Sequence, residues 1–221
     1  MPNKKRGKKK KTAAASKPLE SLPLDALVHK LHDTSSPVPG YMPNMIKLEA
    51  EVEGKGRGFV AVDSIPAGTL IHRSYGYICS PTIKREPFEG VPADKQLSVQ
   101  LLEQLVLMLE DSSYPTPRLH KAMKKVVMSE LQPQNLQDWK GKQTNESRLI
   151  AELFCKATSR PDTQIDELAR LGLVAVVNSH QIQYEFGQFV SEDWGIFPSA
   201  SFINHSCWPN CNAFYSRKYS T

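Results

Sequence analysis

The chain has 221 residues, of which 40% are hydrophobic and 23% are charged, and its formal net charge at pH 7 is +5. This length suits one folded domain with a tail, and the composition excludes a collagen-like or largely disordered chain. No apolar run approaches the roughly 18 residues that a membrane-spanning helix needs. The four cysteines form no CxxC pair. Free thiols in a reducing, intracellular compartment are therefore favoured over a disulfide framework.

The positive charge is concentrated near the amino terminus. Residues 4–11, KKRGKKKK, hold seven basic side chains, so the remainder of the chain is slightly acidic. A run of like charges repels itself and buries no apolar surface, and residues 1–18 are therefore expected to be disordered. Such a run is typical of a nuclear-import signal or of an arm that binds nucleic-acid phosphates, and a solvated tail is the alternative. A nuclear or cytoplasmic location is expected.

Short β-elements are predicted in the first part of the chain. The lead-in at residues 19–45 is rich in Pro and Ser, and its apolar residues predict one short helix at 24–31. Alternating apolar and charged residues predict a strand over 46–53, and FVAV predicts a second strand at 59–62. Further strand is predicted within TLIHRSYGYICS, residues 69–80.

Helical periodicity dominates the middle of the chain. A first helix is predicted with Asp94 as its N-cap and with an apolar stripe that begins at Leu97. Further helices are predicted at 119–131, at 146–158 after Asn145, and from Asp162 or Thr163 onward. Short strands return in QIQYEF, FVSED and GIFPSA. The order predicts an α+β fold in which a helical insertion interrupts one β-rich core.

The loop GKGRG, residues 54–58, combines three glycines with two basic residues. Glycine permits positive φ and lets a ligand lie against bare backbone, while Lys55 and Arg57 suit an anionic group such as a carboxylate or phosphate. The loop matches neither GK[ST] nor GxGxxG, the two nucleotide-binding patterns. A tight hairpin turn is the alternative interpretation.

The segment NHSCWPNC, residues 204–211, leaves three interpretations open. A structural zinc site takes four ligands, whereas His205, Cys207 and Cys211 offer at most three. A thiol nucleophile is disfavoured because a catalytic Cys and its His usually meet through the fold rather than in sequence. A ligand-binding loop is the third interpretation, since Asn204 brings both an amide donor and an acceptor. These residues alone do not choose among the three.

Three segments together resemble the SET-domain protein lysine methyltransferases. SFINHSCWPNC resembles their NHSCxPN signature, and GKGRGFVAVDSIPAGTLI resembles their opening motif. GLVAVVNSHQI, EFGQF and WGIFPSASFINHSC are similar to the SET-and-MYND branch. The resemblance implies a β-rich SET (β-clip) fold of short strands over residues 46–221. Its implied parts are N-terminal strands at 46–90, a helical insertion at 91–170 and a C-terminal core at 171–221.

The resemblance also implies a function and a cofactor. Members of the family transfer a methyl group from S-adenosylmethionine to a protein lysine, in a histone or another protein. The implied cofactor-binding residues are Lys55, Gly56, Arg57 and Gly58 near the methionine part, Asn204 and His205 at the sulfonium and adenine, and Asn178. No metal site is implied, since Cys207 would bind zinc only with a downstream cysteine cluster.

The sequence departs from the family pattern in three places. The MYND finger expected after YICSPT is missing, and His180 stands where members of that branch carry Phe. The GEE-x-x-x-x-Y motif, which supplies the catalytic tyrosine, does not occur before Thr221, and Tyr215 and Tyr219 lie too close to NHSC to replace it. The sequence thus predicts a C-terminally incomplete SET fold with weak activity and no assigned catalytic residue. A non-catalytic interaction module with a basic tail is the alternative.

Overall fold

A computed structural model describes residues 21–31, 41–81, 85–139, 141–184, 189–206, 210–211 and 213. The basic run at 4–11 and Cys207 lie outside these described residues. The disorder and nucleic-acid binding expected of the basic run therefore stay predictions. In the described part, more residues lie in helices than in strands, and the two sheets are small and antiparallel. This architecture confirms the α+β class.

The first sheet is a hairpin that presents the glycine loop. Helix α1, Leu24–Lys30, forms where it was predicted, and its buried face packs in the core. Strand β1, Ile46–Glu49, pairs antiparallel with β2, Gly58–Ala61. Strand β1 ends earlier than predicted because the N–H of Val52 donates to the carbonyl of Gly56 at 2.7 Å, which closes the loop before residue 53.

The second sheet joins distant parts of the chain. Strand β3, Tyr77–Cys79, and strand β4, Ser179–Tyr184, both pair antiparallel with β5, Phe189–Ile196, which lies between them. Only the last part of the strand predicted over 69–80 enters the sheet, since residues 71–76 have no regular strand pairing. Strand β3 of the N-terminal part therefore shares one sheet with β4 and β5 across the helices, whereas β1 and β2 form a separate hairpin.

Four longer helices lie between β3 and β4. They are α2, Gln96–Glu110; α3, Pro117–Lys125; α4, Lys142–Thr158; and α5, Ile165–Asn178. A π-helical turn, Val126–Glu130, continues α3. Helix α5 runs past residue 170, where the helical insertion was predicted to end, and the division of the chain into domains stays a prediction. No helix of the described residues is both long and apolar enough to cross a membrane.

The predicted helix starts were wrong in detail. Asp94 lies in a short 3-10 turn before α2, and Asn145 lies inside α4, which begins after Gly141. Asp162 and Thr163 lie in a second 3-10 turn before α5. In each case polar residues before the apolar stripe already adopt helical turns. An apolar pattern marks only the part of a helix that faces the core, so it misplaces the first turn.

The main core lies between the helices and the β3–β5–β4 sheet. Leu102, Leu105 and Leu109 of α2 are buried there, but Leu97 is 49% exposed although it was expected on the buried stripe. Leu97 lines the mouth of a cavity of about 350 Å³ that is bounded by α2, α4, α5 and the sheet. The first turn of α2 therefore faces this cavity rather than a packed layer.

Candidate functional site

The glycine loop and the NHSC segment meet at Gly58 and Asn204. A Cβ atom on Gly58 would lie 2.9 Å from Cγ of Asn204 and closer still to Nδ2, so the side chain of Asn204 fills the space that a side chain at 58 would need. Nδ2 of Asn204 is buried and has no hydrogen-bond partner within the described part of the chain. Buried donors are normally paired. This donor therefore marks a place where a bound group could supply an acceptor.

The loop leading to Gly58 has the backbone conformation of a ligand-binding turn. Gly54 and Gly56 have φ of 70° and 69°, in the left-handed region that favours glycine. A Cβ at Gly56 would meet nothing within 4 Å, so the backbone there borders open space. The N–H of Gly56 donates to Oε1 of Glu51 at 3.2 Å, and the N–H of Lys55 donates to the carbonyl of Val52 at 2.6 Å. The hairpin interpretation is confirmed, and it is compatible with a ligand lying on the loop.

Arg57 and Lys55, the two cations of the loop, have different surroundings. Nη1 of Arg57 donates to Oε2 of Glu130 at 2.9 Å, and these side chains are only 28% and 22% exposed. The guanidinium also lies over the ring of Phe202, 5.7 Å from its centroid. Lys55 is exposed and forms no ion pair with a described residue. The charge of Arg57 is thus neutralised by Glu130 within the protein, whereas that of Lys55 faces solvent.

Asn178 lies at the end of α5, against the segment that carries Glu130. Its Nδ2 donates to the carbonyl of Gln132 at 2.7 Å and to that of Val174 at 2.9 Å. Since only Leu131 separates Glu130 from Gln132 in the chain, Asn178 and Arg57 both bind the same short stretch after α3. The amide nitrogen of Asn178 therefore links the end of α5 to the segment after α3.

The turn before Asn204 is anchored on the extended segment at 71–76. Ser199 is fully buried, and its hydroxyl donates to Oγ of Ser74 at 2.8 Å and lies 3.2 Å from Nε2 of His72. A short 3-10 turn, Ala200–Phe202, then leads to the NHSC segment. Ser199 and the 3-10 turn thus fix the point at which the chain reaches Asn204.

Two other residues singled out in the NHSC segment are exposed. His205 is exposed and follows Asn204 directly. Cys211 is exposed, and its thiol lies 3.5 Å from Oδ1 of Asn210. Across the described ranges, no group of three or more His, Cys, Asp or Glu side chains could hold a metal ion. The expectation that the chain binds no metal stays a prediction.

His180 lies on β4 opposite Gly195, and its ring centroid is 6.4 Å from that of Phe197. Phe197 in turn covers Gly76, where a Cβ would lie 2.5 Å from the ring. Part of the His180 side chain reaches solvent, while burial of the remainder lowers the pKa of the imidazole. His180, which stands where the resemblance led us to expect Phe, thus makes an aromatic contact with Phe197.

Sequence reasoning missed Glu130 and Phe202 as neighbours of the site. Glu130 is 73 residues from Arg57 in the chain, and nothing in its local sequence marks it. Phe202 could have been found, because it belongs to the SFINHSC stretch already singled out. The signal for Phe202 was its place in a motif, whereas Glu130 became visible only in the folded chain.

Comparison with known families identifies the family of the chain. A sequence profile of the SET domain matches residues 56–220, which is more than half of the 221-residue chain. Neither a curated protein nor a solved structure gives a significant match. The matched range begins inside the glycine loop and includes both Gly58 and the NHSC segment. The chain belongs to the SET domain family.

Proposed function

We propose that this chain is a protein lysine methyltransferase of the SET-and-MYND-like branch, which transfers a methyl group from S-adenosylmethionine to a lysine side chain of a histone or another protein. The observation that best supports this function is the contact of Gly58 with Asn204, because it joins the two family motifs into one surface. That surface includes a buried amide donor with no partner among the described residues. The branch assignment is supported by GLVAVVNSH and WGIFPSASFINHSC.

The residues of this surface fit S-adenosylmethionine in their chemistry. Gly56 borders open space in a positive-φ conformation and admits a ligand against the backbone. Lys55 offers an exposed ammonium that suits a carboxylate, and Asn204 offers a buried donor. His205 and Asn178 are the further candidate contacts. When bound, the cofactor would supply a methyl group on a positively charged sulfur.

The lysine side chain of the substrate must also be a neutral amine before it can accept the methyl group. A lysine side chain of ordinary pKa, about 10.4, is almost fully protonated at pH 7 and must lose its proton before it can accept a methyl group. Holding the amine and the cofactor in line is worth several kcal/mol through orientation and electrostatics. The role of Gly58 and Asn204 in this proposal is to fix the cofactor side of that alignment.

The first test is binding of S-adenosylmethionine by isothermal titration calorimetry. We expect saturable binding to the wild-type chain and an affinity at least about tenfold weaker for Asn204→Ala, since that variant loses a buried donor. Asn44→Ala is the matched control, because Asn44 is exposed outside the site. Absence of binding heat with the folded wild-type chain would reject the proposal.

The second test is transfer of a labelled methyl group to core histones and to an array of lysine peptides. Labelling that depends on Asn204 supports the enzymatic function. Cofactor binding without any labelling would instead favour the non-catalytic interaction module.

A further inference from the structure

We propose that Glu130, in the helical insertion, is a positioning residue for the glycine loop. By holding Arg57 it fixes the loop against Asn204, and it leaves Lys55 as the loop cation available to the carboxylate of a bound ligand. This inference rests on the proposed function, because the ligand concerned is S-adenosylmethionine. It assigns different roles to the two basic residues that the sequence motif presents as equivalent.

The contact between Arg57 and Glu130 has the character of a fixed link. The pair is joined at 2.9 Å, both side chains are more than two-thirds covered, and the guanidinium is also held over the ring of Phe202. Charge-assisted hydrogen bonds are stronger than neutral ones, and partial burial reduces their screening by salt. Arg57 therefore connects the loop at once to the insertion and to the turn before NHSC.

Glu130 is held in place from behind. The π-helical turn that it ends has Val126 and Val127 fully buried. Arg170 of α5 donates to the carbonyl of Met128 at 2.7 Å. With the bond from Asn178 to Gln132, these contacts fix the backbone on both sides of Glu130. The loop, in contrast, is a short exposed turn between two strands of four residues each. The rigid partner is the insertion, so the ion pair positions the loop.

Lys55 differs from Arg57 in being uncommitted. Its side chain is exposed and no ion pair with a described residue neutralises it. Its backbone N–H is bonded within the turn, to the carbonyl of Val52, and this bond fixes where the side chain leaves the loop. An anionic group lying over Gly56 would be attracted by the ammonium of Lys55. It would be attracted much less by Arg57, whose charge Glu130 already neutralises. Only the charge of Lys55 should contribute a strong salt dependence to binding.

The experiment compares Glu130→Gln, Arg57→Gln and Lys55→Gln by calorimetric titration with S-adenosylmethionine and with 5′-methylthioadenosine, which lacks the amino-acid part. Glu53→Gln is the matched control, since it removes the same charge from an exposed residue beside the loop. Affinities are measured well below the unfolding midpoint of each variant, so that loss of folded protein does not contribute.

For Glu130→Gln we expect binding of S-adenosylmethionine to weaken by about fivefold to tenfold, while binding of 5′-methylthioadenosine changes by less than about twofold. The salt dependence should not flatten in this variant, because Lys55 keeps its charge. Lys55→Gln should weaken the binding of S-adenosylmethionine to a similar extent and reduce the salt dependence of that binding. Glu130→Gln added to Arg57→Gln should cause no further loss, because the two residues act as one unit.

Three results separate this inference from the proposed function. If the wild-type chain binds neither compound, the proposed function fails and this inference falls with it. If the wild type binds but Glu130→Gln behaves like Glu53→Gln, the positioning role alone is rejected. If Glu130→Gln weakened the binding of both compounds equally, the positioning role would also be rejected, since that result indicates general damage to the fold.

Discussion

At the residue scale, the site depends on a glycine that has no room for a side chain. The side chain of Asn204 fills the volume that a Cβ on Gly58 would occupy, whereas Gly56 has open space but a positive φ. The two glycines are therefore required for different reasons. Gly58 permits close packing of two loops, and Gly56 permits the turn itself.

We expect Gly58→Ala to destabilise the protein by about 1–3 kcal/mol, because the added methyl group forces Asn204 to move. Binding of S-adenosylmethionine should be lost together with this displacement. Gly172→Ala is the matched control. Gly172 lies within α5, and its Cβ would be at an ordinary 3.6 Å from Ser147. Alanine at this position should stabilise the helix by about 0.5–1 kcal/mol. Urea denaturation of both variants gives the comparison, and equal stability of the two would contradict the packing argument.

At the scale of elements, the turn after α3 is the link between the helical insertion and the loop. Arg170 is only 8% exposed and donates to the carbonyls of Met128 and Pro133, at 2.7 and 3.2 Å. Burial lowers the pKa of its guanidinium, which stays charged at pH 7 because arginine starts from a very high pKa. A buried cation thus pairs with two backbone carbonyl groups, one in the π-helical turn after α3 and one in the segment that follows it.

Arg170→Met should cost about 2 kcal/mol of stability, because it leaves these two carbonyls without a donor while keeping the apolar part of the side chain. Arg148→Met is the control, since the Arg148 side chain is 51% exposed and pairs only at the surface. That change should remain within about 0.5 kcal/mol of the wild type. Chemical denaturation provides both values, and an equal loss in the two variants would disprove the role of Arg170.

Elements were predicted better than the contacts between them. Helices α2 to α5 were recognised because each buries an apolar stripe with a helical period, and the hairpin was recognised from its glycines. Glu130 could not be found, since the pairing with Arg57 depends on how α3 ends and where α5 holds the following turn. The exposure of Leu97 was missed because a sequence pattern does not record that a cavity lies beside it.

At the scale of the whole molecule, the core buries titratable groups that resist ionisation. Burial raises the pKa of the Cys79 thiol from 9.0 to about 12, and the positive charge of Arg85 offsets only part of this rise. Burial also raises the pKa of Tyr77, with a smaller contribution from Tyr114. Both residues lie in β3, where the two halves of the chain pair. Their ionisation is therefore linked to global unfolding.

We expect the stability to fall as the pH rises above about 9. Below that pH the Cys79 thiol is protonated in both states, and above it the unfolded chain loses the proton while the folded chain keeps it until about pH 12. The loss assigned to Cys79 is on the order of 2 kcal/mol by about pH 11. Thermal unfolding midpoints at increasing pH should fall less steeply for Cys79→Val than for Cys211→Val, whose exposed thiol makes it the control. Parallel curves for the two variants would refute the linkage.

The central place of β5 has a consequence for how the protein is made. Tyr77 pairs with Ile196, so β3 leaves the ribosome long before the strand that it needs. At synthesis rates of about 5–20 residues per second, that delay is roughly ten seconds. Helices α2 to α5 are synthesised before β5, and α4 and α5 can pack on each other during this interval, whereas the sheet must wait. A nascent chain halted before residue 189 would hold β3 and β4 without their shared partner. The half-built sheet would then expose its hydrogen-bonding edges to chaperones or to other chains.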